Sequence, residues 1–263
     1  MTAIRLGAVS YLNTRPLVYG LDARPDEFTL RFDVPAVCAS LLHEGRVDLG
    51  LIPAVEYLRG TYWIVPDVSI ASDGEVASVA VFTKVPIERV RTLAVDISSR
   101  TSVALTRVLC AKRWGIAPSF TPADPDMRKM LERADAGLII GDPALRIDAA
   151  RHGATKVDLG AEWQALTGLP FVYAMWTGHQ GAATSSHCRA LQEARDRGVA
   201  HVAEIAREFA HGDRARETQA LSYLRDNLKY GLGEREREGL RRFHELAAEL
   251  GLVPSLQPLR FYT

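Results

Sequence analysis

The chain has 263 residues, 47% of them hydrophobic and 24% charged, enough to bury the cores of two lobes or of one large domain. Its 32 Lys and Arg balance 32 Asp and Glu, which argues against a nucleic-acid or anionic-membrane partner. No apolar run approaches the roughly 20 residues of a membrane helix, the N-terminus MTAIRLGAVSYLN does not read as a signal peptide, and three scattered cysteines, Cys38, Cys110 and Cys188, fit reduced thiols in a cytoplasm.

The apolar run Ile4 to Val9 reads as a strand that stops at Ser10. Ser10, Tyr11, Asn13, Thr14 and Arg15 then crowd into a short loop, and Pro16 sits near the first turn of a helix, where its missing N–H costs nothing. Phe28 to Val34 is a second strand, Pro35 opens a helix that ends at Gly45, and VDLGLI (Val47 to Ile52) reads as a buried parallel strand. Pro53 and Ala54 start a short helix. Val76 to Phe82 is a strand, and Lys84-Val85-Pro86 marks a crossing between lobes. Leu93 to Val95 is followed by the polar turn Ser98 to Ser102 and by a helical pattern from Val103 to Trp114, closed by Gly115. Pro118, Pro122 and Pro125 punctuate a connection, and Met127 to Leu131 is helical. Ala136 to Ile140 is a buried strand running into Gly141-Asp142-Pro143 and a helix, Ala144 to Ala150. Lys156 to Leu159 and Phe171 to Trp176 are strands. From about Thr184 to Leu250 the pattern is helical, with dense Arg/Glu faces that read as solvated salt-bridge surfaces.

One internal repeat organises these elements. EGRVDLGLIPAVEYL (Glu44 to Leu58) parallels RADAGLIIGDPALRI (Arg133 to Ile147): each passes from Asp through Gly into an apolar strand, then turns at Pro into a helix beginning with Ala. The expected fold is α/β, two lobes of like topology with a cleft between them. The first lobe comprises residues 1–83 and 171–263, including the C-terminal helices, and the second residues 84–170. The helical tail is open to two readings, a homodimer surface or a brace across the first lobe.

Three turns would face the cleft: Ser10 to Arg15, Ser98 to Ser102 and Gly141 to Pro143, with Ser78 a fourth contributor. Hydroxyls of Ser99, Thr101 and Ser102 and the free N–H groups of a helix N-terminus suit a carboxylate, the dipole adding roughly 0.3–1 kcal/mol. Arg100 offers a charge-assisted bond to the same anion. Simple N-capping by Ser99 or Thr101 is the competing structural reading. Asp142 is either an Asp-Pro turn former or a ligand contact. No G-x-S-x-G, H-E-x-x-H, P-loop or Rossmann glycine motif is present, and no metal-ligand spacing.

SYLN-x-x-PL at the N-terminus, SRTSVAL (Ser99 to Leu105) and GDPAL (Gly141 to Leu145) together resemble the chorismate dehydratase family of the futalosine route to menaquinone. The likeness spans nearly the whole chain in motif order and spacing. It implies a type 2 periplasmic-binding-protein-like fold and conversion of chorismate to 3-[(1-carboxyvinyl)oxy]benzoate and water, with no cofactor. On that footing Ser99 to Ser102 would hold one substrate carboxylate. Asn13, with Ser10 and Tyr11, would orient the leaving hydroxyl or a developing charge, while Ser78 and Gly141 complete the wall. The base would be the substrate's own enolpyruvyl carboxylate or Asp142. The rival reading is a non-catalytic binding protein for an aromatic or dicarboxylate ligand.

Overall fold

The computed structural model describes residues 3–96 and 98–263. Among the described residues, ten strands form two five-stranded sheets. In the first, β1 (Ile4–Val9) pairs in parallel with β2 (Phe28–Asp33) and β3 (Leu49–Pro53), and β10 (Phe171–Gly178) lies antiparallel between β3 and β4 (Trp63–Ser72). In the second, β6 (Thr92–Asp96) pairs in parallel with β7 (Ser119–Ala123) and β8 (Ala136–Ile140), and β5 (Val79–Thr83) lies antiparallel between β8 and β9 (Thr155–Asp158). Each sheet thus receives one antiparallel strand from the far side of a crossing. The repeated motif falls on β3 and β8, the third strand of each sheet. Both are buried along their whole length, as their unbroken apolar runs require of strands covered on two faces.

The crossing lies earlier than the expected boundary at residue 84. β5 joins the second sheet, so the chain passes between lobes between Ser72 and Val79, and Lys84 N–H is already bonded to Asp135 O within the second lobe. The run VAVF fits the interior of either sheet equally well, which is why the sequence misplaces it. The return lies between α5 (Leu159–Thr167) and β10. Two strands escape sequence reading altogether. β4 carries Pro66 and a left-handed Asp67, and β7 contains Pro122; both are edge strands, where a missing ladder donor is tolerated.

Helices cover both sheets: α1 (Pro35–His43), α2 (Arg100–Leu109, prolonged by a π turn to Trp114), α3 (Met127–Arg133), α4 (Gly141–Arg146) and α5. The tail adds α6 (Ser185–Ala200), α7 (Val202–Ala210), α8 (Arg214–Ser222, prolonged by a π turn Tyr223–Asn227) and α9 (Glu234–Glu249). It does not confine itself to the first lobe. α9 packs on β10 and on α2. Trp163 of α5, Phe171 of β10 and Phe243 of α9 meet edge-to-face with centroids 4.9–6.1 Å apart, so one aromatic cluster joins both lobes and the tail. α6 seats the Leu12–Val18 turn: Gly198 lies so near Pro16 that a Cβ there would stand 2.1 Å from the Pro16 carbonyl oxygen. That turn is 3-10, with Pro16 in its interior rather than its first turn.

Candidate active site

The carboxyl ends of the central strands meet across the seam and line a cavity. Val9, Tyr11, Asn13, Pro35, Pro53 and Tyr173 line it from the first lobe, and Ser99, Thr101, Ser102, Ile140 and Gly141 from the second, with Ser78 at the crossing. The wall is apolar with a few convergent polar groups, the usual make-up of a small-molecule site. None of its lining residues is Lys or Arg, so an anion here meets hydroxyls and the amino end of α2.

Those hydroxyls are aimed by bonds made behind them. Thr101 Oγ1 accepts Val55 N–H at 3.2 Å across the seam, so its own proton is left for the cavity. Ser99 makes no side-chain cap bond to α2, which removes the capping reading for that residue. Ser78 Oγ accepts the Tyr223 hydroxyl at 2.7 Å, which again leaves the serine proton for a cavity acceptor. Burial pushes the Tyr223 phenol well above its ordinary range, while Ser78 and Asn13 oppose that rise. Tyr223 therefore stays a proton donor to Ser78. Tyr173 O–H and Ser72 Oγ are 3.0 Å apart beside it. Gly141 has φ +67, and a Cβ there would stand 2.6 Å from the Tyr11 ring, so only glycine lets β8 turn into α4 against that ring.

A family model described as menaquinone biosynthesis matches residues 4–249. The chain belongs to this menaquinone-biosynthesis family. This family member is 32% identical to the chorismate dehydratase of Thermus thermophilus, over 96% of this chain and 98% of that one. It is 29% identical to the chorismate dehydratase of Campylobacter jejuni, over 65% and 66% of the two chains. Among solved structures it is similar to a protein of Archaeoglobus fulgidus, with TM-score 0.74 and 19% identity over 95% of this chain and 98% of that one. It is also similar to the periplasmic aliphatic sulphonate binding protein SsuA of Escherichia coli, with TM-score 0.68 and 16% identity over 100% and 94%. The fold of this menaquinone-biosynthesis protein is accordingly periplasmic-binding-protein-like. Among its described residues no helix is long and apolar enough to cross a membrane.

Of the residues singled out in the sequence, the structure gathers Tyr11, Asn13, Ser78, Ser99, Thr101, Ser102 and Gly141 around one cavity. Four others, Ser10, Arg100, Asp142 and Arg15, lie elsewhere. Ser10 is absent from the wall and borders only an outer groove, to which its neighbours Val9 and Tyr11 also contribute. Arg100 lies with Val103, Ala104 and Arg107 on the opposite face of α2, at helical spacing, and lines a separate groove. Its Nη1 is 2.7 Å from Glu56 Oε2 and its Nη2 is 3.2 Å from Ser40 Oγ. Burial pushes the fully buried Glu56 carboxyl up, but His43, Arg100 and Arg59 outweigh it and hold its pKa below the ordinary value. Arg100 is thus committed to an ion pair across the seam. Asp142 lies beside the cavity rather than in its wall: Oδ1 accepts Leu12 N–H at 2.9 Å, another bond between lobes. Burial raises its pKa against that bond and against Arg146, Arg15 and Arg216. Arg15 is not in the wall either; its guanidinium stands 5.8 Å from the Phe209 ring centroid.

Sequence reading misses Tyr173 and Tyr223. Tyr223 sits in the charged tail, 145 residues from the serine it touches, and begins a π turn, a distortion frequent at functional sites but invisible in residue spacing.

Proposed function

We propose that this chain is a chorismate dehydratase, removing water from chorismate to give 3-[(1-carboxyvinyl)oxy]benzoate in menaquinone biosynthesis. The observation that carries the reading is the convergence of the SYLN, SRTS and Gly141 motifs on one interlobe cavity in a chain 32% identical to a named chorismate dehydratase. Chorismate has two carboxylates, an enol ether and a ring hydroxyl, and loss of water makes the ring aromatic. The driving force is internal to the substrate, so the protein's task is to select one conformation and one leaving group.

In this reading one carboxylate lies at the amino end of α2, accepting hydrogen bonds from the hydroxyls of Ser99, Thr101 and Ser102. Asn13 and Ser78, the latter polarised by Tyr223, face the departing hydroxyl and stabilise the charge that develops on it. Asp142 is bonded to Leu12 and stands outside the wall, so we assign it to holding the lobes together. The substrate's enolpyruvyl carboxylate takes the ring proton, the C–H electron pair becomes the new ring double bond as the C–O bond breaks, and the carboxyl passes that proton to the departing oxygen, which leaves as water. Tyr11 and Tyr173, with Val9, Ile140 and the prolines, pack against the ring and keep water away.

The test is direct. The purified protein is incubated with chorismate and the enolpyruvyl benzoate is followed by chromatography. Asn13→Leu is expected to lose turnover by about 10²-fold, the size of effect of deleting one stabilising donor, while its thermal melt stays close to wild type. An Asn13→Leu enzyme with full turnover removes Asn13 from the chemistry. Chorismate bound by the wild type but not consumed would favour a binding protein, a use common among proteins of this fold.

A further inference from the structure

The crossing into the second lobe makes a turn that suits glycine, and makes it with alanine. Ala77 has φ +62, and across it Ser78 N–H donates to Val76 O at 2.7 Å. Val76-Ala77-Ser78 is therefore a γ-turn of the rare positive-φ kind, and such strain persists only where the surroundings enforce it. The enforcing group is Asp158, at the end of β9. Its Oδ2 accepts Ala77 N–H at 2.7 Å and its Oδ1 accepts Val76 N–H at 3.0 Å. The same Oδ1 accepts Gly160 and Ala161 N–H at 2.9 and 3.1 Å, capping α5, the helix that leads into the return crossing. Lys156 Nζ holds the turn from its other side, 2.7 Å from Ala77 O. One carboxylate thus ties both crossings together, and what the turn presents is Ser78. The side chain of Ser78 enters the cavity wall, and its carbonyl accepts Gly141 N–H at 2.8 Å.

We propose that Asp158 is a positioning residue: its carboxylate holds the γ-turn that aims Ser78 Oγ into the cavity, and so governs turnover without touching the substrate. The inference rests on the dehydratase reading above. Four main-chain donors converge on the two oxygens of Asp158, and an amide in its place turns a donor toward at least one of them. The turn then relaxes out of positive φ and Ser78 moves.

The experiment uses the full chain with Asp158→Asn, Lys156→Met, Ser78→Ala and Ala77→Gly, singly and paired, measuring kcat and KM for chorismate well below each variant's Tm. Asp158→Asn is expected to lower kcat by about 10²-fold, as a displacement near 1 Å can, with KM changed less than about threefold. Added to Ser78→Ala, it costs less than about threefold more, because the group it places is already gone. Added to Ala77→Gly, it costs less than it does alone, since glycine adopts positive φ freely. Lys156→Met, which leaves the α5 cap intact, lowers kcat in the same sense and carries the test if Asp158→Asn fails to fold. A lower Tm with unchanged kcat overturns the proposal, as does an equal loss with and without the Ser78 hydroxyl. A fully active Ser78→Ala overturns it too. A wild type that leaves chorismate unconsumed rejects the dehydratase reading first, and the positioning role with it.

Discussion

Acid should loosen α9 from the first lobe through one imidazole. His244 is only 2% exposed, its Nε2 is 3.0 Å from Ala54 O, and its ring is stacked on Tyr57. Burial lowers its pKa from 6.5 to about 4, against the Ala54 carbonyl, which raises it. In the unfolded chain the imidazole regains its ordinary value, so between these limits the unfolded state binds the extra proton. Its share of stability is complete above pH 6.5 and lost as pH falls toward 4. The gap between the two values converts to about 3 kcal/mol, a large fraction of the 5–15 kcal/mol typical of a folded protein. Urea unfolding from pH 4 to 8 measures it, with His244→Gln as the reference that keeps an amide donor and loses the titration. The difference between the two stability curves should be flat above pH 6.5 and change by about 3 kcal/mol down to pH 4. Parallel curves across that window would refute the assignment. The site has a stake in the outcome, because Ala54 lies between Pro53 in the cavity wall and Val55, whose N–H holds Thr101.

Two further expectations concern the cavity directly. Tyr223→Phe removes the donor behind Ser78 Oγ while keeping the ring, and should lower kcat about tenfold, the equivalent of one net hydrogen bond; equal kcat values for the two proteins would exclude Tyr223 from polarising the serine. Arg100→Ala breaks a seam ion pair but no cavity contact, so KM for chorismate should rise less than about threefold. A bond from Arg100 to a substrate carboxylate would instead be worth roughly 1.5–3 kcal/mol, or about 10- to 10²-fold in KM, and an increase of that size would return Arg100 to the site.

The sequence makes the fold legible wherever one residue pattern has one use. Unbroken apolar runs identify β3 and β8, and the Pro-Ala turns that follow them carry the repeat. It is less informative wherever a pattern fits two places. VAVF suits either sheet, and Pro66 and Pro122 hide edge strands behind the habits of loops. Within the site, residue spacing bears on which residues line the cavity wall and which lie outside it. Ser10 borders only the outer groove while Val9 and Tyr11 border both that groove and the cavity, and helical period sets Thr101 and Ser102 apart from Arg100, Val103 and Arg107. Treating each polar turn as one block erases that distinction. Tyr223 carries no comparable signal, because a distant helix brings it to Ser78 only after the whole tail has wrapped both lobes.

One bond that aims a cavity hydroxyl, Val55 to Thr101, also joins the lobes, and it stands among other bonds across the same seam. Val55 to Thr101, Leu12 to Asp142, and Glu56 to Arg100 all span the seam, and Tyr223 reaches the crossing from the tail. Each is worth about 0.5–1.5 kcal/mol net, somewhat more where a charge takes part. A lobe that swings away takes the Val55 N–H donor with it, and the Thr101 hydroxyl is then free to turn elsewhere. Thr101 therefore presents its proton to the cavity where the lobes meet, and a dianion that prefers this arrangement would favour it by the same interactions that bind it. An arginine in the wall would bind the substrate in open and closed states alike, since its charge needs no partner lobe to orient it. Hydroxyls aimed from across the seam instead make affinity conditional on closure, and closure on the one substrate shape that reaches all of them.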